Sequence, residues 1–148
     1  MEIIRELERR DLDECTRLFI RVFNSEPWND GWTFEKAKKR LEDIFLSAGF
    51  YGIGCWRDHS ILGIACGNKE QWTDSEHFNL KEFCVDIENQ NMGIGSRILG
   101  RLEQELMLQK CNRIYLLTMK SGIAESFYKK NGYYASGKMI MMGKKLFG

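Results

Sequence analysis

Two glycines, Gly93 and Gly95, stand where a strand-like segment ending at Val85 gives way to an amphipathic helix. Glycine has no Cβ atom, so the backbone there can turn tightly and come close to a ligand. Amide groups in the first turn of a helix have no intrahelical acceptor, and the helix dipole adds about half a positive charge there. The segment therefore predicts a pyrophosphate seat that needs no cationic side chain.

Two familiar glycine-loop patterns can be compared with this segment. A P-loop requires G-x-x-x-x-G-K-[ST], which the sequence lacks. A dinucleotide-binding fingerprint requires a third glycine three positions after the second, and Ile98 stands there instead. Both nucleotide interpretations therefore fail. A lone G-x-G taken by itself also fits a loop in which the glycines only make a turn.

Composition narrows the class of protein. The chain has 148 residues, the size of one domain, and a formal net charge of +1, which gives no electrostatic case for nucleic acid or an anionic membrane. No apolar run approaches the ~20 residues that a membrane-spanning helix needs. The five cysteines form no C-x-x-C pair and histidines number only two. We therefore predict no metal site, and reduced, mostly buried thiols in a cytoplasmic protein.

Hydrophobic periodicity predicts the element order β-α-α-β-β-β-α-β-α-β. Such an order is typical of an α/β (α+β) fold with a mixed, mostly antiparallel sheet flanked by helices. Regular strand alternation also places Glu82 on the face opposite Lys81 and Asn79, and a bulge in the strand would alter this placement. The strands are expected around residues 2–7, 50–56, 61–66, 77–85, 113–119 and 133–146, and the last two helices around residues 94–106 and 121–130.

Two motifs resemble the GNAT superfamily of N-acetyltransferases. Residues 90–95 read Q-N-M-G-I-G and match the family signature Q/R-x-x-G-x-G/A at every defined position. Residues 124–133 read A-E-S-F-Y-K-K-N-G-Y and resemble the family segment A-x-x-F-Y-x-x-x-G-F/Y. The resemblance implies a single N-acetyltransferase domain over residues 1–148, with a splayed central strand pair and with acetyl-CoA as the acyl donor.

The same resemblance implies which residues hold the donor. Backbone groups of the loop would hold the pyrophosphate, and the preceding strand end would pair with the pantetheine arm like an added strand. In this family the splay follows a bulge in that strand. Asn91 and Met92 stand where many members carry basic residues, which would lower the affinity for CoA. The implied cofactor-binding residues are Phe83, Cys84, Val85, Gln90, Asn91, Met92, Gly93, Ile94, Gly95, Ser96 and Phe127.

Direct attack of an amine on a thioester requires a neutral amine and a proton for the departing thiolate. Tyr128 stands where the family usually places its general acid, and a phenol with a pKa of about 10 is easily reprotonated. The alternative for Tyr128 is a half-buried helix aromatic. Glu82 is the candidate general base, with a solvated or salt-bridged carboxylate as the alternative. An acyl-cysteine route through Cys84 is disfavoured because no histidine lies nearby in the sequence to activate the thiol.

The connection between the first two helices commonly roofs the acceptor cleft in this fold. Here Glu26 and Asp30 would attract a cationic amine, while Trp28 and Trp32, with Trp72, would wall a pocket. The alternative is that the loop tryptophans seal the core beneath the connection. Both interpretations are open at the level of sequence.

The sequence thus predicts an acetyl-CoA-dependent N-acetyltransferase that acetylates a primary amine of a small molecule such as an aminoglycoside or a polyamine. The alternatives are a peptide or protein N-acetyltransferase and a non-catalytic CoA-binding module, against which the presence of Tyr128 counts. The expected partners are acetyl-CoA and an amine acceptor, without nucleic acid or membrane, and the expected state is a monomer or homodimer.

Overall fold

A computed structural model describes all 148 residues, which form two compact units, residues 1–117 and residues 118–148. The second unit contains one helix, α4 (Ile123–Lys130). The first unit contains β1 (Glu2–Glu6), α1 (Leu12–Phe23), α2 (Phe34–Phe45), β2 (Phe50–Arg57), β3 (Ser60–Gln71), β4 (Glu76–Val85), α3 (Ile94–Leu108) and β5 (Cys111–Tyr115).

The five strands form one sheet in the order β1-β2-β3-β4-β5. Neighbouring strands are antiparallel except β4 and β5, which are parallel and are connected through α3. This arrangement confirms the predicted mixed, mostly antiparallel sheet flanked by helices. None of the helices has the length and apolar content that crossing a membrane would demand.

Helices cover the two faces of this sheet. Buried residues of α1 and α2, including Leu18 and Leu41, share one apolar core with Cys66 and Cys84 of the sheet. On the other face α3 lies close to β3, since a Cβ atom added at Gly63 would lie 2.7 Å from Cδ1 of Ile98. The amphipathic patterns of the helices are therefore satisfied by burial against the sheet.

A bulge interrupts β4 at Lys81. Cys66 of β3 is paired with Glu82, but the next residue, Gly67, is paired with Leu80, so Lys81 is the extra residue of the bulged strand. Asn68 is paired with Asn79. Because paired residues share a face and residues 66 and 68 lie on the same face of β3, Glu82 and Asn79 also share a face. The sequence-based placement of Glu82 and Asn79 on opposite faces was wrong, because the bulge shifts the alternation by one residue.

Beyond the bulge the central strands separate. β5 pairs with β4 only at Glu76–Asn79 and does not continue beside Leu80–Val85. The predicted bulge and splay of the central strand pair are therefore confirmed. β5 begins two residues before the predicted start at Arg113 and ends at Tyr115, well before the predicted end at Met119.

All five cysteines are buried and free. Cys55 is paired with Gly63 and Cys66 with Gly52, so the two thiols belong to different pairs of β2 and β3. The two cysteines lie on opposite faces of the sheet, because Gly63 faces α3 whereas Cys66 belongs to the core under α1 and α2. These two cysteines therefore do not contact each other across the β2–β3 hairpin.

In the second unit α4 ends as the sequence predicts. Asn131 follows the last helical residue, Gly132 has a φ of 90°, and the Gly132 amide donates to the Lys129 carbonyl at 3.1 Å. The structure has no strand over residues 133–146, and the prediction of one was wrong. An alternating apolar pattern does not define a strand unless a partner supplies the ladder of hydrogen bonds.

Candidate active site

The glycine loop forms the turn from β4 into α3. Gly93 caps α3 with a φ of 79° and Asn91 has a φ of 66°, so both are in the left-handed region that favours glycine and asparagine. The first α3 amide with an acceptor in the helix is that of Arg97, which donates to the Gly93 carbonyl at 3.1 Å. The amides of residues 94–96 consequently have no intrahelical acceptor and are available to an anion.

Side chains at both ends of the loop hold its backbone. Nε2 of Gln90 donates to the Val85 carbonyl at 3.0 Å, which ties the loop to the end of β4. Nη1 of Arg97 donates to the Met92 carbonyl at 3.3 Å, and the same guanidinium pairs with Glu2 at 2.9 Å. Sequence reasoning missed Arg97, although its position four residues after Gly93 places it one helical turn from the loop. The loop thus has a cation nearby despite the neutral Asn91 and Met92.

The end of β4 after the bulge is the segment predicted to hold the pantetheine arm. Its members are Phe83, Cys84 and Val85, and β5 does not extend beside them. The Cys84 side chain faces the core under α1 and α2, and burial raises the pKa of its thiol well above the ordinary value. A thiol held protonated in this way is a poor nucleophile, which agrees with the expectation of direct acylation.

The Glu82 carboxylate lies between the sheet and α2. Its side chain is 11% exposed, and its Oε1 atom accepts from Nε of Arg40 at 3.0 Å and lies 2.9 Å from Nη2 of the same guanidinium. Burial raises the pKa of Glu82, the Arg40 charge and hydrogen bond oppose that rise, and the negative charge of Asp30 adds to it. The pKa of Glu82 is raised overall, which is useful for a carboxylate that must take a proton near neutral pH.

The connection between α1 and α2 brings only part of the predicted acceptor set together. Glu26 and Asp30 are exposed, and Asp30 Oδ2 accepts from the indole Nε1 of Trp32 at 3.2 Å. The Trp32 ring packs edge-on against Phe19 with centroids 5.0 Å apart, at the edge of the core. Trp32 is therefore part of the core packing.

Trp28 and Trp72 occupy different surroundings. Trp28 lies edge-on against Phe23 of α1, with centroids 5.6 Å apart, and is 36% exposed. The Trp72 ring stacks on His77 at the far end of β3 and β4, with centroids 5.1 Å apart. Of the three tryptophans, Trp28 alone is an exposed aromatic on the α1–α2 connection.

Polar groups that sequence reasoning did not select share the Glu82 face of the sheet. Asn68 and Asn79 are paired across β3 and β4, and the buried Oδ1 atom of Asn68 has no hydrogen-bond donor within the protein. Glu70, two residues after Asn68, accepts from the Tyr115 hydroxyl at 2.6 Å. Strand alternation after the bulge is the signal that groups these residues, and the bulge itself could not be located from sequence.

Tyr128 lies in the second unit, on α4. It is half-buried, and its ring lies 5.5 Å from that of Phe127 and 5.6 Å from that of Tyr133 between centroids. The family segment that singled out Tyr128 and Phe127 thus forms a helix with an aromatic cluster.

The Acetyltransferase (GNAT) family model matches residues 5–133 of the sequence. The chain belongs to this family. Membership implies an acyltransferase, and the glycine loop and splayed strands of this GNAT chain are the features that the resemblance led us to expect.

Three relatives illustrate the similarity. Acetyltransferase SG1711 of Sodalis glossinidius (strain morsitans) is 25% identical over 145 residues, which cover 97% of this GNAT chain and 94% of that protein. The aminoglycoside acetyltransferase meta-AAC0020 from an uncultured soil metagenomic sample, solved with sisomicin, superposes with a TM-score of 0.76 at 17% identity, covering 99% and 97% of the two chains. The aminoglycoside N-acetyltransferase AAC(6')-Iy, solved with CoA, gives 0.77 at 12% identity over 98% and 95%. The two structures show a shared fold.

Proposed function

We propose that this GNAT chain is an acetyl-CoA-dependent N-acetyltransferase that acetylates a primary amine of a small molecule by direct attack. One observation carries the proposal: free amides that can bind an anion follow the end of β4, and a buried carboxylate lies on the same strand where it separates from β5. The free amides at the start of α3 fit a pyrophosphate, and Glu82 on β4 fits the proton acceptor.

The donor would be held mainly by backbone. Amides of residues 91–96 would bind the pyrophosphate, Gln90 would keep the loop on the end of β4, and residues 83–85 would pair with the pantetheine arm. A Cβ atom added at Gly93 would meet only Nη1 of Arg97, at 3.1 Å, so the glycine leaves room for a phosphate to approach. The neighbour solved with CoA supports acyl-CoA as the donor.

The proton transfers follow from the chemistry. Glu82 would take a proton from the acceptor ammonium, directly or through water, and the freed nitrogen would attack the thioester carbon. As the C–N bond forms and the C–S bond breaks, Tyr128 would give a proton to the thiolate, which leaves as free CoA thiol, and the second proton lost by the nitrogen would return to the Tyr128 phenolate through water. The family segment on α4 supports Tyr128 in this role, and the raised pKa of Glu82 supports the other.

The acceptor would bind over the face of the sheet that carries Glu82. Asp30 and Glu26 would attract a cationic amine, and the exposed Trp28 ring would offer it an apolar or cation–π contact. Trp32 would support this surface from the core. The relative solved with sisomicin supports an aminoglycoside-like amine.

The remaining expectations concern the whole molecule. We propose that residues 1–148 act as one N-acetyltransferase domain, as the extent of the family match supports. A monomer or homodimer in the cytoplasm is the proposed state, because five free thiols suit a reducing compartment. Neither a metal nor nucleic acid has a part in this proposal.

A panel of amines tests the proposal, with free thiol release from acetyl-CoA as the readout. The panel contains sisomicin, spermidine, a peptide with a free N-terminus and a lysine peptide. Turnover with sisomicin or spermidine supports the proposal. Turnover with the peptides alone supports a peptide N-acetyltransferase instead. CoA binding in calorimetry without turnover of any amine would point to a non-catalytic CoA-binding module.

A further inference from the structure

We propose that Arg40 is a positioning residue for the acetyl transfer, because it holds one oxygen of Glu82 and leaves the other oxygen free to receive the proton. The inference rests on the proposed function, in which Glu82 is the general base. Nothing in the sequence connects the two residues, which are 42 positions apart.

The geometry of the pair is asymmetric. An arginine facing a carboxylate often makes two parallel hydrogen bonds, one to each oxygen. Here Nε and Nη2 of Arg40 both approach Oε1 of Glu82, at 3.0 and 2.9 Å. No hydrogen bond within the chain reaches Oε2. The guanidinium thus fixes the orientation of the carboxylate while Oε2 keeps its lone pairs for a water molecule or an ammonium group.

The asymmetry depends on two elements that meet at this point. Arg40 lies on α2 beside Leu41, which is fully buried and anchors the helix on the sheet. Glu82 is turned towards α2 because the bulge at Lys81 shifts the alternation of β4. Arg40 is itself 45% exposed, so the ion pair joins a buried carboxylate to a guanidinium that solvent also reaches.

The charged and titratable groups around Glu82 come from four elements. Arg40 belongs to α2, Asp30 to the α1–α2 connection, Cys66 to β3 and Cys84 to β4. Burial raises the pKa of both thiols well above the ordinary value, so they stay neutral. Asp30 disfavours and Arg40 favours the ionised carboxylate. Loss of the Arg40 charge therefore leaves burial and Asp30 unopposed, and Glu82 will hold its proton to higher pH.

The test compares Arg40→Met, which removes the charge, with Arg40→Lys, which restores it on a group that reaches one oxygen. Lys39→Met is the matched control, because Lys39 is the neighbouring residue on α2 and pairs with Asp43 on the exposed side. We expect the acid limb of the pH profile of kcat/KM to move to higher pH in Arg40→Met and the value at neutral pH to fall roughly tenfold or more. Arg40→Lys will bring the limb back, and Lys39→Met will match the wild type.

Carbon-13 NMR of glutamate-labelled protein supplies a readout that needs no acceptor. The Glu82 signal is identified by its loss in Glu82→Gln, and its titration will move to higher pH in Arg40→Met. Thermal melts and CoA calorimetry verify that each variant is folded; if Arg40→Met does not fold, the comparison uses Arg40→Gln. An unchanged titration and pH profile in the folded variant overturns the positioning role.

The outcome for Glu82→Gln separates the inference from the proposed function. If this variant keeps the wild-type rate, Glu82 is not the base and the proposed function loses that residue, whatever Arg40 does. If its rate falls on the order of 10²-fold while the Arg40→Met profile stays in place, the base is correct and Arg40 does not position it.

Discussion

Replacing Gly67 with alanine should damage both the stability and the activity of this enzyme. Gly67 lies opposite the bulge of β4, where the two backbones come unusually close. A Cβ atom added there would lie 1.8 Å from the Asn79 carbonyl oxygen and 2.9 Å from its carbonyl carbon. These atoms belong to the main chain, so they have no rotamer that would relieve the clash.

The cost can be judged from that geometry. The Asn79 carbonyl oxygen would have to retreat by more than 1 Å, because real Cβ contacts shorter than 3.0 Å essentially never occur. Overpacking of this kind costs about 1–3 kcal/mol, and movement of a sheet backbone places the loss at the upper end. The displaced strand also carries Glu82, so the rate should fall further than the stability loss explains.

Urea denaturation followed by circular dichroism measures the first effect, and thiol release at a temperature where the variant is folded measures the second. Gly100→Ala is the matched control, since no atom lies within 4 Å of a Cβ added there and the position is helical. The free energy of unfolding should rise by about 0.5–1 kcal/mol in Gly100→Ala. If Gly67→Ala is as stable and as active as Gly100→Ala, the close approach of β3 and β4 is not a constraint.

Three further substitutions test the parts of the site. Gly93→Val should weaken CoA binding in calorimetry, because the valine side chain would fill the space for the pyrophosphate and a φ of 79° costs a β-branched residue about 1–2 kcal/mol or more. An unchanged affinity for CoA would remove the pyrophosphate argument. Tyr128→Phe should lower the maximal rate on the order of 10²-fold and flatten the alkaline limb of its pH profile, since the proton donor for the thiolate is lost; an unaltered rate and limb would show that Tyr128 is not the acid. Cys84→Ala should keep the rate of acetyl transfer within a few-fold of the wild-type rate, because a buried thiol whose pKa is raised is a poor nucleophile. If an acyl-enzyme can be trapped in the wild type and is lost in this variant, the route is covalent.

The features that the sequence predicted are those encoded by neighbouring residues. The glycine loop depends on Gly93 and on the free amides that follow it, and both are local properties of the strand-to-helix junction. The cap of α2 is local in the same way, because the hydroxyl of Thr33, directly before the helix, accepts from the Lys36 amide at 3.2 Å. Patterns of this kind need no knowledge of the rest of the chain.

The features that the sequence missed depend on distant partners. Lys81 forms the bulge because Gly67 on the neighbouring strand lets two backbones approach, and neither residue shows this alone. Arg40 reaches Glu82 only after α2 has packed on the sheet. The prediction of a strand from Tyr133 onwards was wrong for the same reason, because alternation along one segment does not show whether a partner strand is present. The proposed acceptor surface is the least predictable part, since Trp32 packs in the core whereas Trp28 is exposed.

The Asn24 side chain bridges the two ends of the α1–α2 connection. Oδ1 of Asn24 accepts from the Trp32 amide at 2.7 Å, and its Nδ2 donates to the Trp32 carbonyl at 2.9 Å. One asparagine thus joins the end of α1 to the segment that enters α2, whatever lies between them. Residues 25–31 can therefore change in sequence at little cost to the fold, which makes this connection a natural place for descendants of one enzyme to acquire different acceptors.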